Sequence, residues 1–121
     1  MMKREIFVFG SNKAGRHGRG AALYAKDNYG ARMGVGEGLT GDSYAIPTKG
    51  HSLENLPYEE IDLAIGRFIS VANGMPDVRF LLTPVATGLA GHSRQKVLAS
   101  LRKYGLPKNV VLTSSWVMNK G

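Results

Sequence analysis

The segment Thr87-Gly88-Leu89-Ala90-Gly91-His92 sits between a short apolar run, Arg79 to Pro84, and a helical pattern that begins at about His92 or Ser93. Backbone N–H groups at a helix start have no intrahelical partner, and glycines let an anion come close, so Val85 to His92, including Ala86, could cradle a phosphate. The same residues equally describe a tight turn with Ser93 as the N-cap. No Gly-Lys-Ser/Thr follows, so this is not a P-loop, and the first strand–helix turn lacks the usual dinucleotide fingerprint.

A second glycine-rich stretch runs from Gly10 and Ser11 through Asn12, Gly15, Gly18 and Arg19 to Gly20, with Lys13, Arg16 and His17 among the glycines. Flexible backbone with cations suits a phosphate or ribose diphosphate, and a solvated basic loop is the alternative. Asn12 directly follows a strand. Its amide could donate to and accept from a sugar hydroxyl, or it could cap the turn. A third stretch, Gly34 to Gly41, reads as a lid over a ligand or as a hairpin turn. Candidates for acid–base work are Lys49, His51 and Glu37, with Asp42 beside them; each also suits a solvated or structural role. His17, His51 and His92 lack metal-ligand spacing, so no metal or cofactor is expected. Trp116 could stack on a base, although aromatics at such positions are mostly core.

These segments need a scaffold. The chain of 121 residues is expected to be one domain, residues 1–121, long enough to bury a core. At 43% hydrophobic it should fold. Sixteen glycines in 121 residues are about twice the usual share. The absence of cysteine excludes disulfides and thiolate chemistry and fits a cytoplasmic location. No apolar run is long enough to span a membrane or to act as a secretory signal, so no membrane partner is expected. The net charge of +7 favours anionic partners: nucleic acid, or a phosphate-bearing small molecule.

Strands are expected at Glu5–Gly10, Ser43–Thr48, Arg79–Pro84 and Asn109–Thr113. Pro47 argues that the second lies at an edge or stops there. Helices are expected at Ala21–Tyr29, about Pro57–Ala72 and about Ser93–Tyr104. The middle one carries its apolar face on Ile61, Ile65, Phe68, Ile69 and Ala72. Alternation of strands and helices predicts an α/β fold: a parallel or mixed sheet of at least four strands flanked by helices. Ligands in such sheets bind beyond the carboxyl ends of the strands. Those ends are Gly10-Ser11-Asn12, Pro47-Thr48-Lys49, Pro84 to Gly88, and Ser114-Ser115-Trp116, which together would form one polar, glycine-lined edge.

In that order, Phe7-Val-Phe-Gly-Ser-Asn12, Ala14-Gly-Arg-His-Gly-Arg-Gly-Ala-Ala22, Gly36 to Lys49, and Leu82-Thr-Pro-Val-Ala-Thr-Gly-Leu-Ala-Gly91 resemble the macro domain superfamily, above all small macro-domain-like proteins of phages and bacteria. The resemblance implies a three-layer fold that binds ADP-ribose or a related NAD-derived nucleotide. Asn12 with Gly15, Gly18 and Gly20 would hold the distal ribose, and Thr87 to Gly91 would wrap the diphosphate, with Ala86 where a glycine is common. Thr48, Lys49, Val85, Ala86, Leu89, Ala90 and His92 would complete the site. The resemblance also implies hydrolysis of ADP-ribose from protein or nucleic acid in some members. The aspartate used by one hydrolytic branch is replaced by Ala90, which leaves an activated water as the route. The aspartate that reads adenine in macro domains precedes the first strand and has no counterpart ahead of Glu5. Sequestration of a cyclic ADP-ribose-type signal and a basic nucleic-acid-binding domain are the further alternatives.

Overall fold

The apolar run at the start extends beyond its predicted ends on both sides. In the computed structural model, which describes residues 4–88 and 90–118, strand β1 spans Arg4–Asn12. The chain continues as α1 (Gly20–Tyr29), β2 (Gly38–Thr40), β3 (Ser43–Lys49), α2 (Tyr58–Asn73), β4 (Val78–Leu82), α3 (Arg94–Tyr104), β5 (Val110–Leu112) and the short α4 (Ser115–Met118). The five strands form one sheet in the order β2-β3-β1-β4-β5. The pairs β1–β3, β1–β4 and β4–β5 are parallel, and β2 joins β3 antiparallel. The expected mixed sheet flanked by helices is what forms.

Chain order dictates where the helices go. The connection from β1 to β3 moves outward on one side of the central strand. The connections β3 to β4 and β4 to β5 then run back across and beyond it. Parallel crossovers are right-handed, so opposite directions of travel place helices on opposite faces. Accordingly Phe7, Phe9 and Ala45 pack under Ala22 and Ala25 of α1. Ile6, Val8, Phe80 and Leu82 pack under α2 and α3, including Ile61, Ile65, Phe68, Ile69, Ala72, Val97 and Leu101. Alternation along each strand supplies both faces. α1 reaches back to Gly20, and its C-cap Gly30 is left-handed at φ 71°, as a helix-stopping glycine allows.

Three expectations shift. Pro47 neither ends its strand nor lies on the sheet's outermost strand. β3 continues to Lys49, with Ser11 opposite Pro47. The proline is tolerated because β2 pairs only with Ser43–Ala45, so beyond Ala45 no strand needs an N–H on that side. Pro57 is the N-cap of α2 rather than its first residue. α3 begins at Arg94, and Ser93 caps it by accepting the Lys96 N–H at 3.1 Å.

Candidate functional site

The loops leaving β1 and β4 start side by side and turn to opposite faces, toward α1 and α3. Such divergence is the switch point at which open α/β sheets form the ligand-binding crevice at their carboxyl edge. The loops touch at their origin: a Cβ on Gly10 would lie 3.7 Å from the Ala86 nitrogen.

The β4 loop is a closed turn. His92 N–H donates to the Ala86 carbonyl at 2.9 Å, Gly91 N–H to Gly88 at 2.9 Å, and Thr87 Oγ1 to Pro84 at 2.6 Å. Val85, Ala86 and Ala90 bury their side chains in the core, so the loop offers backbone rather than side chains. Ala86 takes φ +67°, a left-handed conformation that costs an alanine roughly 1–2 kcal/mol. Its N–H and that of Gly88 have no hydrogen-bond partner among the described residues. Gly88 and Gly91 have nothing within 4 Å of a notional Cβ. The expected start of α3 at His92 or Ser93 is corrected here, because Ser93 already takes up the first-turn donor. Leu89 lies outside the described residues. The His92 ring meets Tyr58 edge-on at 5.0 Å, with Nε2 buried and unpartnered among the described residues.

The β1 loop is built differently. Both ends of the Asn12 amide bond the backbone of Arg16: Oδ1 accepts its N–H at 3.0 Å and Nδ2 donates to its carbonyl at 2.9 Å. Asn12 therefore caps the turn. His17 is fully buried rather than part of a solvated loop. Its Nε2 is 2.9 Å from the Arg32 carbonyl, which can only accept, so Nε2 carries the proton. Its ring stands edge-on to Phe9 at 5.2 Å. Arg19 is the N-cap of α1 and makes no side-chain cap, and Gly18 and Gly20 on either side face open space. The first N–H groups of α1 thus have no side-chain cap, in contrast to α3.

The third glycine stretch is a buttress, not a lid. Gly34 N–H donates to Gly15 at 2.8 Å, Ser11 Oγ donates to the Gly36 carbonyl, and His17 N–H meets the Met33 sulfur. A Cβ on Gly36 would come within 2.4 Å of the Asn12 carbonyl, and one on Gly15 within 2.3 Å of Gly34. Gly38–Thr40 then pairs with β3 around a two-residue turn at Gly41-Asp42, so the hairpin reading holds. Glu37 is held by Arg67 of α2 in a two-pronged pair at 2.6 and 3.0 Å. Beneath it, burial, reinforced by the Glu37 charge, pushes the Tyr44 hydroxyl up to about 12.

Of the remaining candidates, Thr48 is buried and donates to the Ser11 carbonyl at 3.3 Å. It is the extra residue of a bulge, since Ser11 pairs with Pro47 and Asn12 with Lys49. Lys49 is thereby set directly beside Asn12, half-buried. His51 stands exposed on the following turn. Asp42 pairs with Arg4 at 3.0 Å, away from the crevice. Trp116 is core: it is 7% exposed and its indole N–H donates to the Leu82 carbonyl at 2.8 Å. Sequence reasoning missed β2, the bulge, and the ion pair that ties Lys13 to Glu60 at 3.1 Å. Only the bulge had a local sign, Pro47-Thr48-Lys49 at a strand end.

No family model and no curated protein matches the sequence. Among solved structures, similarity is found to the macrodomain of Mycobacterium tuberculosis DarG, with TM-score 0.63 and 19% identity over 91% of this chain and 88% of that one. A macrodomain protein from Streptomyces coelicolor matches with TM-score 0.51 and 17% identity over 93% and 88%. The chain has a macrodomain-like fold. A protein of unknown function from Bacteroides thetaiotaomicron shares this macrodomain-like architecture, with TM-score 0.65 and 10% identity over 93% and 87% of the two chains.

Proposed function

We propose that the crevice binds ADP-ribose or a related NAD-derived nucleotide. The observation that carries this reading is the convergence, at the switch point of a macrodomain-like sheet, of two loops that offer unpaired backbone donors to open space. The diphosphate lies over the Ala86–Gly88 backbone. The distal ribose lies against the Gly18–Gly20 backbone at the start of α1. Asn12 shapes that loop from behind, and Lys49 and Arg19 supply positive charge. Binding is favoured over hydrolysis because the candidate acids are engaged elsewhere: Glu37 by Arg67 and Asp42 by Arg4. Ala90 turns into the core where an acid would be needed.

Gly88→Glu tests this. Nothing crowds that position, so the variant should melt within a few degrees of the parent, yet its carboxylate would occupy the diphosphate position. Titration calorimetry with ADP-ribose should show binding to the parent and loss of at least about a hundredfold in the variant, roughly 3 kcal/mol. Unchanged affinity in a folded variant would remove the phosphate from this loop.

A further inference from the structure

The solvent face of α2 and α3 lies apart from the two crevice loops and has a shape of its own. Asp62 accepts from Ser100 at 2.7 Å, and a Cβ on Gly66 would lie 2.8 Å from the Tyr104 ring. Both contacts join residues 38 positions apart, and they fall one turn apart on each helix. The two helices therefore run parallel and in register. Ala99 and Ser100 are too small to fill the space between them, which leaves a groove of about 500 Å³. Leu63 stands on the α2 wall of this groove, 57% exposed. That wall is acidic, with Glu59 and Asp62, and the α3 wall is basic, with Lys96 and Lys103. Asp62 and Lys103 pair across the groove at 2.7 Å. Glu59 and Lys96 make no ion pair among the described residues; the Lys96 ammonium lies over the Tyr58 ring, 4.7 Å from its centre.

We propose that this face binds a second copy of the chain about a two-fold axis running along the groove, whatever the crevice binds. Such an axis preserves height along the helices and exchanges them, so α2 of one copy lies over α3 of the other. The register decides what then meets. Glu59 is level with Val97 and so faces the partner's Lys96, and Leu63 is within two residues of the partner's Ala99. Each Leu63 enters the other copy's groove, and two Glu59–Lys96 pairs flank the contact. A face that holds both knob and hole, and both an acidic and a basic wall, is self-complementary, as an isologous interface requires. Glu59 and Asp62 disfavour a polyanion in the groove, and the lysines disfavour a polycation. Helices of 16 and 11 residues side by side offer a face of roughly 20 by 20 Å, below the ~800 Å² per partner of a standard interface, so the dimer is weak and reversible. The net charge of +7 opposes it little, because salt screens charges beyond about 8 Å at physiological ionic strength.

Sedimentation equilibrium at physiological salt, with protein from about 10 μM to about 1 mM, tests this. The parent should dimerise with a Kd on the order of 100 μM. Glu59→Lys and Lys96→Glu each bring like charges together and should each weaken dimerisation at least about tenfold. Mixed in equal amounts, the two variants place a lysine against a carboxylate at both pairs, so the mixture should associate within about threefold of the parent. The chain carrying both reversals should do the same. Leu63→Ser removes the knob and should weaken dimerisation about tenfold without touching any charge. All three positions are exposed, so melting curves should show every variant folded. A parent that stays monomeric at about 1 mM overturns the proposal and leaves the groove to a different partner. So does a dimer that both single reversals leave unchanged, because another face then carries it. A mixture that associates no better than its components also overturns it, because the two-fold pairing of Glu59 with Lys96 is then wrong.

Discussion

Asp62 shows how much a single side chain organises here. Its Oδ1 accepts from Ser100 at 2.7 Å, and its Oδ2 accepts from Lys103 and Tyr104, both at 2.7 Å. Burial pushes its carboxyl upward, but these donors outweigh burial and hold it below the ordinary carboxylate range. A depressed acid contributes stability that is complete above its unfolded pKa and fades as pH falls through the folded one. Asp62→Asn should therefore cost about 1–2 kcal/mol at neutral pH, as expected for charge-assisted hydrogen bonds. It should also flatten the parent's loss of stability below about pH 4. Urea melts at pH 7 and pH 3 would show this; a variant with the parent's acid profile would mean that the carboxylate does not matter. The same cluster reaches the crevice indirectly. Tyr58 bonds Ser100 at 2.7 Å while its ring supports His92 of the β4 loop.

Between elements, the glycines separate into two kinds that look identical in the sequence. Gly18, Gly20, Gly88 and Gly91 face open space, whereas Gly15 and Gly36 let one loop lie directly on another. Gly36→Ala must displace backbone by about an ångström, and overpacking of this sort costs roughly 1–3 kcal/mol. Its melting point should fall well below that of the parent, and its affinity for ADP-ribose should fall with it, because the β1 loop rests on this contact. Calorimetric melting checks the first and titration the second. The clasp between Arg67 and Glu37 works on the same hairpin but is exposed, so breaking it should change global stability by less than about 1 kcal/mol. The periodicity of α2 was legible residue by residue, because its buried face depends only on helical spacing. The partner of Gly36 was not, because it lies 24 residues away.

For the molecule as a whole, the crevice exists because the chain reverses its direction of travel across the sheet after β3. A ligand held by both walls should stabilise the folded state by mass action. At a free concentration a hundredfold above its dissociation constant it adds about 2.7 kcal/mol, a rise in melting temperature on the order of 10 °C for a chain of this size. Thermal shift with ADP-ribose, cyclic ADP-ribose, NAD, AMP and short DNA ranks the candidates. A rise with DNA alone would favour the nucleic-acid-binding alternative over the nucleotide crevice.

Local patterning alone determined the class of fold, four of the five strands, the three long helices and the polar edge on which the glycine loops meet. Those features follow from side-chain periodicity and turn chemistry within a few residues of each position. Tertiary structure decided what the loops are made of. Asn12 turned out to be a cap because the Arg16 backbone lies within its reach. His17 went inside because the Arg32 carbonyl and Phe9 receive it. Trp116 joined the core because the Leu82 carbonyl accepts its indole N–H. In each case a polar side chain had two satisfactory partners in principle, solvent or a distant backbone group. Only the packed chain brings that distant group close enough to win.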